Sequence, residues 1–568
     1  MQGILSHIFP FMNTLRSYSA SDAKGDLIAG LTVGVMLIPQ GMAYALIAGL
    51  PPEYGLYSAL IPLIIYAFLG SSRHLAVGPV ALVALLVASA VAPFAQTPEE
   101  IISYSILLAM MVGIIQIILG LLRLGFLVNL LSHPVLSGFI SAAAIFIGLS
   151  QLHHLLGVSS VSGGLHEILY GIALQAGQTN LLTFAIGIGG IALIMSMKKI
   201  MPKTPGPVLV VAIGILVLFL SGWQNNGVEI VGAIPSGLPA FIIPTIYQEV
   251  VLQLLPMAFA IALVAYMEAI AVAKAIQNKA KNYVIDPNQE LIAIGASNLG
   301  GSFFQSFPGT GSFSRTAVTY QSGGKTTFAG FFAVAVIALT LLFLTPVFYY
   351  LPNAILAAII MTAVFGLIEF DQFKRLWKLG HYDRYLFLAT FAGTLFLGIK
   401  EGILLGVIFS VVMLVYRSAR PNHSVLGRIP GTNIYRNINR YETEQDPGIL
   451  VFRFDAPLHF ANAEYFHDEV EKLTRLYPET TCLILDLNGV NDIDATGLET
   501  LREITDELNN RSITVLLTEV KAPVRDLLKK DAPAKQDWKF YMTIKDAIRE
   551  IKPESKVDSE DLAIRMDQ

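Results

Sequence analysis

Two charged side chains in otherwise apolar stretches are the residues of this sequence that could carry chemistry. Arg315 follows the sequence Gly311-Ser312-Phe313-Ser314 at the start of a short apolar segment, and Glu268 lies well inside a longer one. A charged residue at the centre of a bilayer costs at least about 2.5–3.5 kcal/mol, so each needs an interior or wet environment. An arginine one turn into a helix adds its charge to the positive helix N-terminus, and the two effects together favour an anion.

Glu268 has two roles open to it besides a purely structural one. It can be the partner of Arg315 when no anion is bound, or it can carry a proton. A proton on Glu268 would lower the cost of bringing a divalent anion past it, and this favours proton symport. A permanent structural ion pair between Arg315 and Glu268 is the alternative.

A second group of polar residues lies in the first apolar segment. Pro39 and Gly41 are predicted to interrupt a helix there, and Gln40 and Tyr44 lie one turn apart. The amide and the phenol could donate hydrogen bonds to a bound oxyanion. A packed kink with Tyr44 in the core is the alternative.

The composition shows that a bilayer must be part of the solvent. The 568 residues are 54% hydrophobic and 14% charged, with a mean hydropathy of +0.61, which excludes an ordinary soluble enzyme. A net charge of -4 gives no bias toward nucleic acid, and the single cysteine, Cys482, excludes an intrachain disulfide. No nucleophile is paired with a base and no metal-spaced Cys/His cluster occurs, so neither an enzyme, a metal nor a cofactor is expected.

Apolar segments recur along the first 420 residues, and we count fourteen that could span or half-span a membrane. They lie at 27–48, 55–69, 79–93, 104–122, 134–152, 181–196, 206–221, 250–274, 288–304, 313–320, 327–345, 353–369, 384–398 and 401–416.

The third and tenth segments are short, and helix-breaking residues precede both: Gly78-Pro79 and Pro308-Gly309. Irregular backbone at membrane depth is tolerated where it is buried in protein or lines a cavity, so these two breaks indicate a site. The two breaks are seven segments apart in a chain of fourteen. The sequence therefore predicts an α-helical polytopic membrane protein built as a 7+7 inverted repeat.

Lysine and arginine in the loops predict the orientation. With a cytoplasmic N-terminus, thirteen of them fall on the inside and only Lys400 on the outside, which places both termini in the cytoplasm. The inside residues are Arg73, Arg123, Lys198, Lys199, Lys203, Lys274, Lys279, Lys281, Lys325, Lys374, Arg375, Lys378 and Arg384.

After the last span the pattern changes to alternating short strands and amphipathic helices, which predicts a small α/β domain. The predicted boundaries are a cytoplasmic segment at 1–26, a transmembrane domain at 27–420, a linker at 421–447, the α/β domain at 448–553 and a disordered tail at 554–568. In the loop Asp494-Ala495-Thr496, Asp494 is a good helix N-cap and Thr496 a good hydroxyl for a helix start, and the two residues are either structural or a regulatory site.

Several motifs resemble the sulfate permease (SulP) family of anion transporters. They are Pro52-Glu53-Tyr54-Gly55-Leu56-Tyr57-Ser58-Ala59, Ile64-Ile65-Tyr66 and Gly70-Ser71-Ser72-Arg73, and the two breaks are similar as well. The α/β domain resembles STAS domains, in whose anti-sigma antagonist relatives a serine stands at the place of Thr496.

The resemblance implies core and gate bundles, an elevator-like movement, a homodimer and a multi-pass protein of the inner or plasma membrane. It implies an anion site, and it assigns the proton-coupling role to Glu268. The transported anion would be sulfate as first choice, or else bicarbonate or a dicarboxylate with proton or sodium coupling. An exchanger or channel, and an anion sensor signalling through the STAS domain, remain alternatives. The site residues implied are Gln40, Tyr44, Val80, Phe313, Ser314 and Arg315.

Overall fold

The chain forms two compact units, Met1–Ser410 and Val411–Gln568. The computed structural model describes residues 10–16, 18–126, 133–159, 164–200, 206–281, 283–366, 368, 370–379, 381–531 and 538–552. The predicted tail at 554–568 and residues 1–9 of the predicted N-terminal segment lie outside these residues.

The first unit is helical, and each of the fourteen predicted segments falls on one of its helices. Eight helical stretches of the described chain are long and apolar enough to cross a membrane, so the predicted polytopic helical fold is confirmed. The helices are α1 (Phe11–Arg16), α2 (Ala20–Ile47), α3 (Pro52–Leu69), α4 (Ala81–Val91), α5 (Pro98–Leu121), α6 (His133–Ser150), α7 (Leu152–Leu156), α8 (Leu165–Gln175), α9 (Leu181–Ile200), α10 (Gly206–Ser221), α11 (Gln248–Ala280), α12 (Pro287–Ser302), α13 (Phe313–Gln321), α14 (Phe328–Leu339), α15 (Asn353–Phe365), α16 (Phe370–Leu379), α17 (His381–Phe396) and α18 (Ile399–Ala419).

Helix α2 differs from the sequence prediction, because it runs unbroken through Pro39 from Ala20 to Ile47. Gly41 does not interrupt the helix but allows α2 to pack closely against α3. A Cβ added at Gly55 of α3 would lie 1.9 Å from the carbonyl oxygen of Gly41, so the two backbones are in direct contact. A side chain at Gly55 would therefore force α2 and α3 apart.

Two buried carboxylates hold the loops that flank the short helices α4 and α13. Glu290, in the first turn of α12, is fully buried and accepts four hydrogen bonds. The donors are the Tyr66 hydroxyl at 2.8 Å, the Ser71 amide and hydroxyl at 2.7 Å each, and the Ser72 amide at 2.9 Å. These donors lie within the sequence run that resembles the family signature, so one carboxylate fixes the loop leading into α4.

Asp26 of α2 has the same function for the loop after α13. It is fully buried and accepts hydrogen bonds from the amides of Lys325 at 2.7 Å and Thr326 at 3.0 Å, and also from the Thr326 hydroxyl. His74 joins the two loops, with one ring nitrogen 3.1 Å from the Tyr283 hydroxyl and the other 3.0 Å from the Gly324 carbonyl. Neither carboxylate was among the residues predicted from the sequence.

We expect Glu290→Gln to lower the free energy of unfolding of the membrane unit by about 2 kcal/mol. The amide offers one acceptor oxygen and turns an NH₂ group toward backbone and hydroxyl donors that the carboxylate now satisfies. Thermal unfolding of the detergent-solubilised protein, followed by its intrinsic fluorescence, measures the change as a drop of a few degrees. Glu99→Gln, at an exposed first-turn position of α5, is the matched control. An unchanged midpoint in Glu290→Gln would show that the negative charge does not hold this loop.

The second unit is an α/β domain with one six-stranded sheet. Its elements are β3 (His423–Arg428), β4 (Tyr435–Asn437), β5 (Ile449–Phe454), α19 (Ala463–Leu476), β6 (Cys482–Asp486), α20 (Ala495–Asn510), β7 (Thr514–Thr518), α21 (Ala522–Asp531), β8 (Phe540–Tyr541) and α22 (Ile544–Ile551). The strand order of the sheet is β4-β3-β5-β6-β7-β8, with β3 antiparallel to β4 and β5 and the remaining neighbours parallel.

The segment 421–447 is not the linker that the sequence predicts. It contributes β3 and β4 to the sheet, and the boundary between the two compact units falls inside α18. In β3, Val425 and Leu426 are buried on opposite faces of the sheet, in two different apolar clusters. The strand is too short and too mixed in composition to be told from a loop by its sequence alone, and its pairing with β5 makes it a strand.

Candidate functional site

The two broken segments meet in a short antiparallel pair. Strand β1 (Val77–Gly78) precedes α4 and strand β2 (Thr310–Gly311) precedes α13, with Val77 opposite Gly311 and Gly78 opposite Thr310. Helices α4 and α13 therefore begin at the same place and come from opposite halves of the chain. The inverted repeat predicts this arrangement, in which the two broken segments, one from each half of the chain, meet at their helix starts; we call it the crossing of β1 and β2.

Polar side chains from neighbouring helices satisfy the irregular backbone around this crossing. The Phe307 amide donates to the Ser58 hydroxyl at 2.9 Å, and the Gly309 amide donates to Asn298 Oδ1 at 2.8 Å. Asn298 Nδ2 in turn donates to Gln116 Oε1 at 3.0 Å. The amide of Ala76, the residue just before β1, donates to the Thr316 hydroxyl at 3.0 Å. Backbone at membrane depth is stable only with such partners, so these residues hold the two helix starts in position.

Sequence reasoning missed these positioning residues, although a signal for them was present. Gln116 and Asn298 are uncharged polar residues in the middle of apolar runs, and Glu290 is a carboxylate near the start of the ninth predicted segment. Polar residues inside spans are expensive and usually have partners. The sequence shows that partners are needed, and only the fold shows which groups they are.

Arg315 lies in the first turn of α13 and is fully buried. A Cβ added at Gly78 would lie 3.4 Å from its Nη2 atom, so the guanidinium lies against the crossing of β1 and β2. Gly78 has a φ of +153°, a conformation that other residues rarely adopt. Within the described part of the chain, Nε, Nη1 and Nη2 of Arg315 have no hydrogen-bond partner. The site thus holds a desolvated cation with all of its donors free.

Glu268 of α11 is half-buried, and its Oε2 is likewise buried without a partner among the described residues. It is close enough to Arg315 for the two charges to interact, yet the two side chains form no ion pair. The alternative of a structural ion pair between them is therefore not realised in this conformation.

Tyr44 and Gln40 of α2 are both buried. Tyr44 is close enough to interact electrostatically with both Arg315 and Glu268, so the structure brings these three predicted residues together. Gln40 lies one turn before Tyr44, and its Oε1 is buried without a partner in the described chain. This oxygen is an acceptor, so the donor role predicted for the Gln40 amide falls to its Nε2 group, beside the Tyr44 phenol.

The starts of α4 and α13 complete the site. Val80 is the buried N-cap residue of α4, and Ser312 is that of α13; neither helix start has a side-chain cap hydrogen bond. Among the described residues, no capping side chain occupies the first-turn amides of either helix, which leaves them available to a ligand. Phe313 and Ser314 are exposed, Phe313 to 59%, so α13 begins at an accessible surface.

In the second unit, Asp494 is the N-cap of α20. Its Oδ1 accepts from the Gly497 amide at 2.8 Å and its Oδ2 from the Phe460 amide at 2.9 Å. Partial burial opposes the effect, but these amides lower the pKa of Asp494 below its ordinary value. Thr496 is exposed in the first turn of α20. The geometry explains Asp494 as a cap, and a regulatory role for Asp494 and Thr496 stays a prediction.

A helical membrane unit with two broken helices around an unpaired arginine, followed by an α/β domain, defines the class of polytopic membrane transporters with an appended domain. Residues 23–390 match the sulfate permease family and residues 440–547 match the STAS domain. The chain belongs to the sulfate permease family.

Similar proteins cover almost the whole chain. "Sulfate transporter 4.1, chloroplastic" of Arabidopsis thaliana is 39% identical over 567 residues, which are 95% of this chain and 82% of the relative. "High affinity sulfate transporter 2" of Stylosanthes hamata is 33% identical, over 97% of this chain and 87% of its own length. Among solved structures, the murine Solute Carrier 26 family member A9 anion transporter in the inward-facing state has a TM-score of 0.89 at 26% identity, covering 96% of this chain and 94% of its own.

Proposed function

We propose that this protein is a secondary active transporter of an inorganic oxyanion, with sulfate as first choice, and that it works by proton symport. The observation that carries the proposal is the fully buried guanidinium of Arg315, whose three nitrogens have no partner in the described chain. A buried charge without a partner is costly, so an anion that completes its hydrogen bonds is strongly favoured.

The donors around Arg315 suit a tetrahedral oxyanion. A guanidinium presents donors in a planar fork, and the uncapped starts of α4 and α13 add backbone amides and a positive dipole. We expect neutral donors from Tyr44, which is close enough to Arg315 to interact with it electrostatically, and from Gln40 one turn before it. The names of the relatives favour sulfate among the oxyanions that this arrangement could bind.

Glu268 is the residue that we propose for coupling. A negative carboxylate near the anion site would repel a dianion, and a proton on Glu268 removes that repulsion. Proton and sulfate would then be bound together and released together. The unpaired Oε2 of Glu268 is the atom that we expect to take the proton.

We further propose an elevator-like movement of the bundle that contains α4 and α13, a homodimer, and cytoplasmic N- and C-termini in the cell membrane. The charge asymmetry of the loops supports this orientation. The similarity to a transporter solved in the inward-facing state supports a cycle of inward and outward states.

Uptake into proteoliposomes tests the function. Purified protein is supplied with labelled sulfate, bicarbonate or fumarate under an imposed proton or sodium gradient. We expect saturable sulfate uptake with counterflow, stimulated by a proton gradient directed with the substrate and unaffected by sodium.

The same panel separates the alternatives. Uptake of bicarbonate or fumarate in preference to sulfate would replace the substrate, and stimulation by sodium alone would replace the coupling ion. Uptake that neither saturates nor shows counterflow would indicate a channel. Sulfate binding without uptake of any of the three anions would indicate a sensor.

A further inference from the structure

Helix α16 lies between two spans and was not predicted from the sequence. Its sequence, FDQFKRLWKL, has aromatic and basic residues on separate faces. At about 100° per residue, Phe370, Phe373, Leu376 and Trp377 fall within an arc of about 120°. Lys374 and Lys378 fall on the adjoining arc.

One edge of the apolar arc packs against the protein. Leu376 is 5% exposed, and the Phe373 ring centroid lies 5.6 Å from that of Phe387 in α17. Arg384, also in α17, stacks over the Trp377 ring at 4.8 Å. These contacts fix the rotation of α16 about its own axis.

The other edge of the apolar arc is uncovered. Phe370 is 65% exposed and Trp377 is 53% exposed. Lys374, Arg375 and Lys378 are exposed too, and none of them forms an ion pair within the described chain. With Asp371 as the one acidic residue of α16, the three cations leave the helix a net charge of +2 (3 − 1). An exposed aromatic edge beside unpaired cations is typical of a helix that lies in a membrane interface.

Helix α8 provides an internal comparison. It also joins two spans and exposes large apolar side chains, Leu169, Tyr170 and Leu174, but it contains no lysine or arginine. The distribution of lysine and arginine among the loops predicts that α8 lies on the outer side of the membrane and α16 on the cytoplasmic side. Of these two helices, only α16, which is predicted on the cytoplasmic side, combines exposed aromatic residues with cations, as expected for contact with an anionic leaflet.

We propose that α16 lies in the headgroup region of the cytoplasmic leaflet, where Phe370 and Trp377 insert and Lys374 and Lys378 bind the headgroups of anionic lipids. Aromatic residues favour the interface, and each nearby cation attracts anionic headgroups. Helix α17 follows α16 directly and packs closely on α6. The close approach is seen at Gly138 of α6, where an added Cβ would lie 2.5 Å from the carbonyl oxygen of Phe387 in α17. The anionic surface would thereby hold the bundle that contains α6 and α17.

The fluorescence of Trp377 tests this placement. The chain has three tryptophans, so Trp223→Phe combined with Trp538→Phe leaves Trp377 as the only one. This variant is reconstituted in an equimolar mixture of phosphatidylcholine and phosphatidylglycerol. One of the two lipids at a time is brominated high on the acyl chains, so that quenching reports how much of that lipid surrounds Trp377. We expect both lipids to quench Trp377, and the anionic one to be enriched around it about fivefold for each engaged cation.

Matched charge variants in the same background identify the cations. In the double variant Lys374→Gln with Lys378→Gln, the ratio of anionic to neutral lipid around Trp377 should fall close to one, while quenching by phosphatidylcholine persists. Lys198→Gln with Lys199→Gln removes two charges from the exposed end of α9 and should leave the preference unchanged.

Three outcomes would overturn the proposal. Equal quenching by the two lipids would remove the anionic preference, and an equal loss in both charge variants would make the effect a general one of membrane charge. If neither lipid quenched Trp377, the helix would not lie in the interface, and protection from aqueous acrylamide would then indicate a protein cover such as a second copy. The readout requires no transport, so its result is independent of the proposed substrate and coupling.

Discussion

Arg315→Gln is expected to abolish saturable sulfate uptake and to leave the unliganded protein at least as stable as the wild type. The two effects have one cause, because the guanidinium is buried with no partner in the described chain. Its loss removes charge-assisted hydrogen bonds to the anion worth about 3 kcal/mol or more, which corresponds to about 100-fold or more in kcat/KM. It also removes an uncompensated buried charge from the empty site, and this favours the folded state.

The sign of the stability change separates a binding residue from a structural one. If Arg315 formed a structural ion pair, breaking that pair would cost about 3–5 kcal/mol and lower the unfolding temperature. Thermal unfolding is therefore measured with and without sulfate, beside initial rates of uptake. Wild-type protein should gain stability as sulfate is added, whereas Arg315→Gln should not respond. Arg123→Gln, at an exposed position after α5, is the control and should retain both transport and stabilisation by sulfate.

Arg315→Lys tests whether charge alone is enough. Lysine keeps the charge but loses the planar fork that can bind an oxyanion through two parallel hydrogen bonds. We expect intermediate uptake, with the larger defect in KM. Normal sulfate uptake by Arg315→Gln would contradict the assignment of Arg315 as the residue that binds the anion.

Glu268→Gln is expected to uncouple sulfate uptake from the proton gradient. The amide resembles a permanently protonated glutamate, so the anion can still enter without repulsion, but no proton is taken up or released. A gradient of one pH unit is worth about 1.4 kcal/mol for each coupled proton, or about tenfold in the accumulation ratio. Wild-type protein should show this dependence, and the variant should exchange sulfate to equal concentrations on both sides.

Counterflow and net uptake measured on the same vesicles reveal the uncoupling. In Glu268→Gln, exchange of labelled for unlabelled sulfate should persist at zero gradient, and stimulation by the proton gradient should disappear. Glu268→Asp keeps a titratable carboxyl group and should keep coupling at a reduced rate. Proton-driven accumulation in Glu268→Gln equal to that of the wild type would assign the coupling proton to another group.

Several features were predictable because they follow from local chemistry. The apolar segments, the two helix breaks and the placement of Arg315 at the start of a short helix can all be read along the chain. Arg315 stood out because a cation in an apolar run is costly wherever that run lies in the fold. The α/β character of the second unit was equally clear from its alternating pattern.

Other features depended on partners that are distant in sequence. Glu290 and the donors Tyr66, Ser71 and Ser72 are more than 200 positions apart along the chain. The interruption expected at Pro39 was wrong, since α2 continues through this proline and Gly41 lies against Gly55 of α3 without breaking the helix. The strand β3 was assigned to a linker, because its pairing with β5 is a tertiary fact.

The sequence by itself determined that the chain is a membrane protein, where its helices break and which charge lies at a break, because hydropathy and helix-breaking residues act locally. Only the tertiary structure decided that the two breaks form an antiparallel strand pair, and that Arg315 and Glu268 lie near one another without forming an ion pair. Charge interactions and hydrogen bonds depend on distance in space. That distance is set by packing between helices far apart in the chain, which no local pattern encodes.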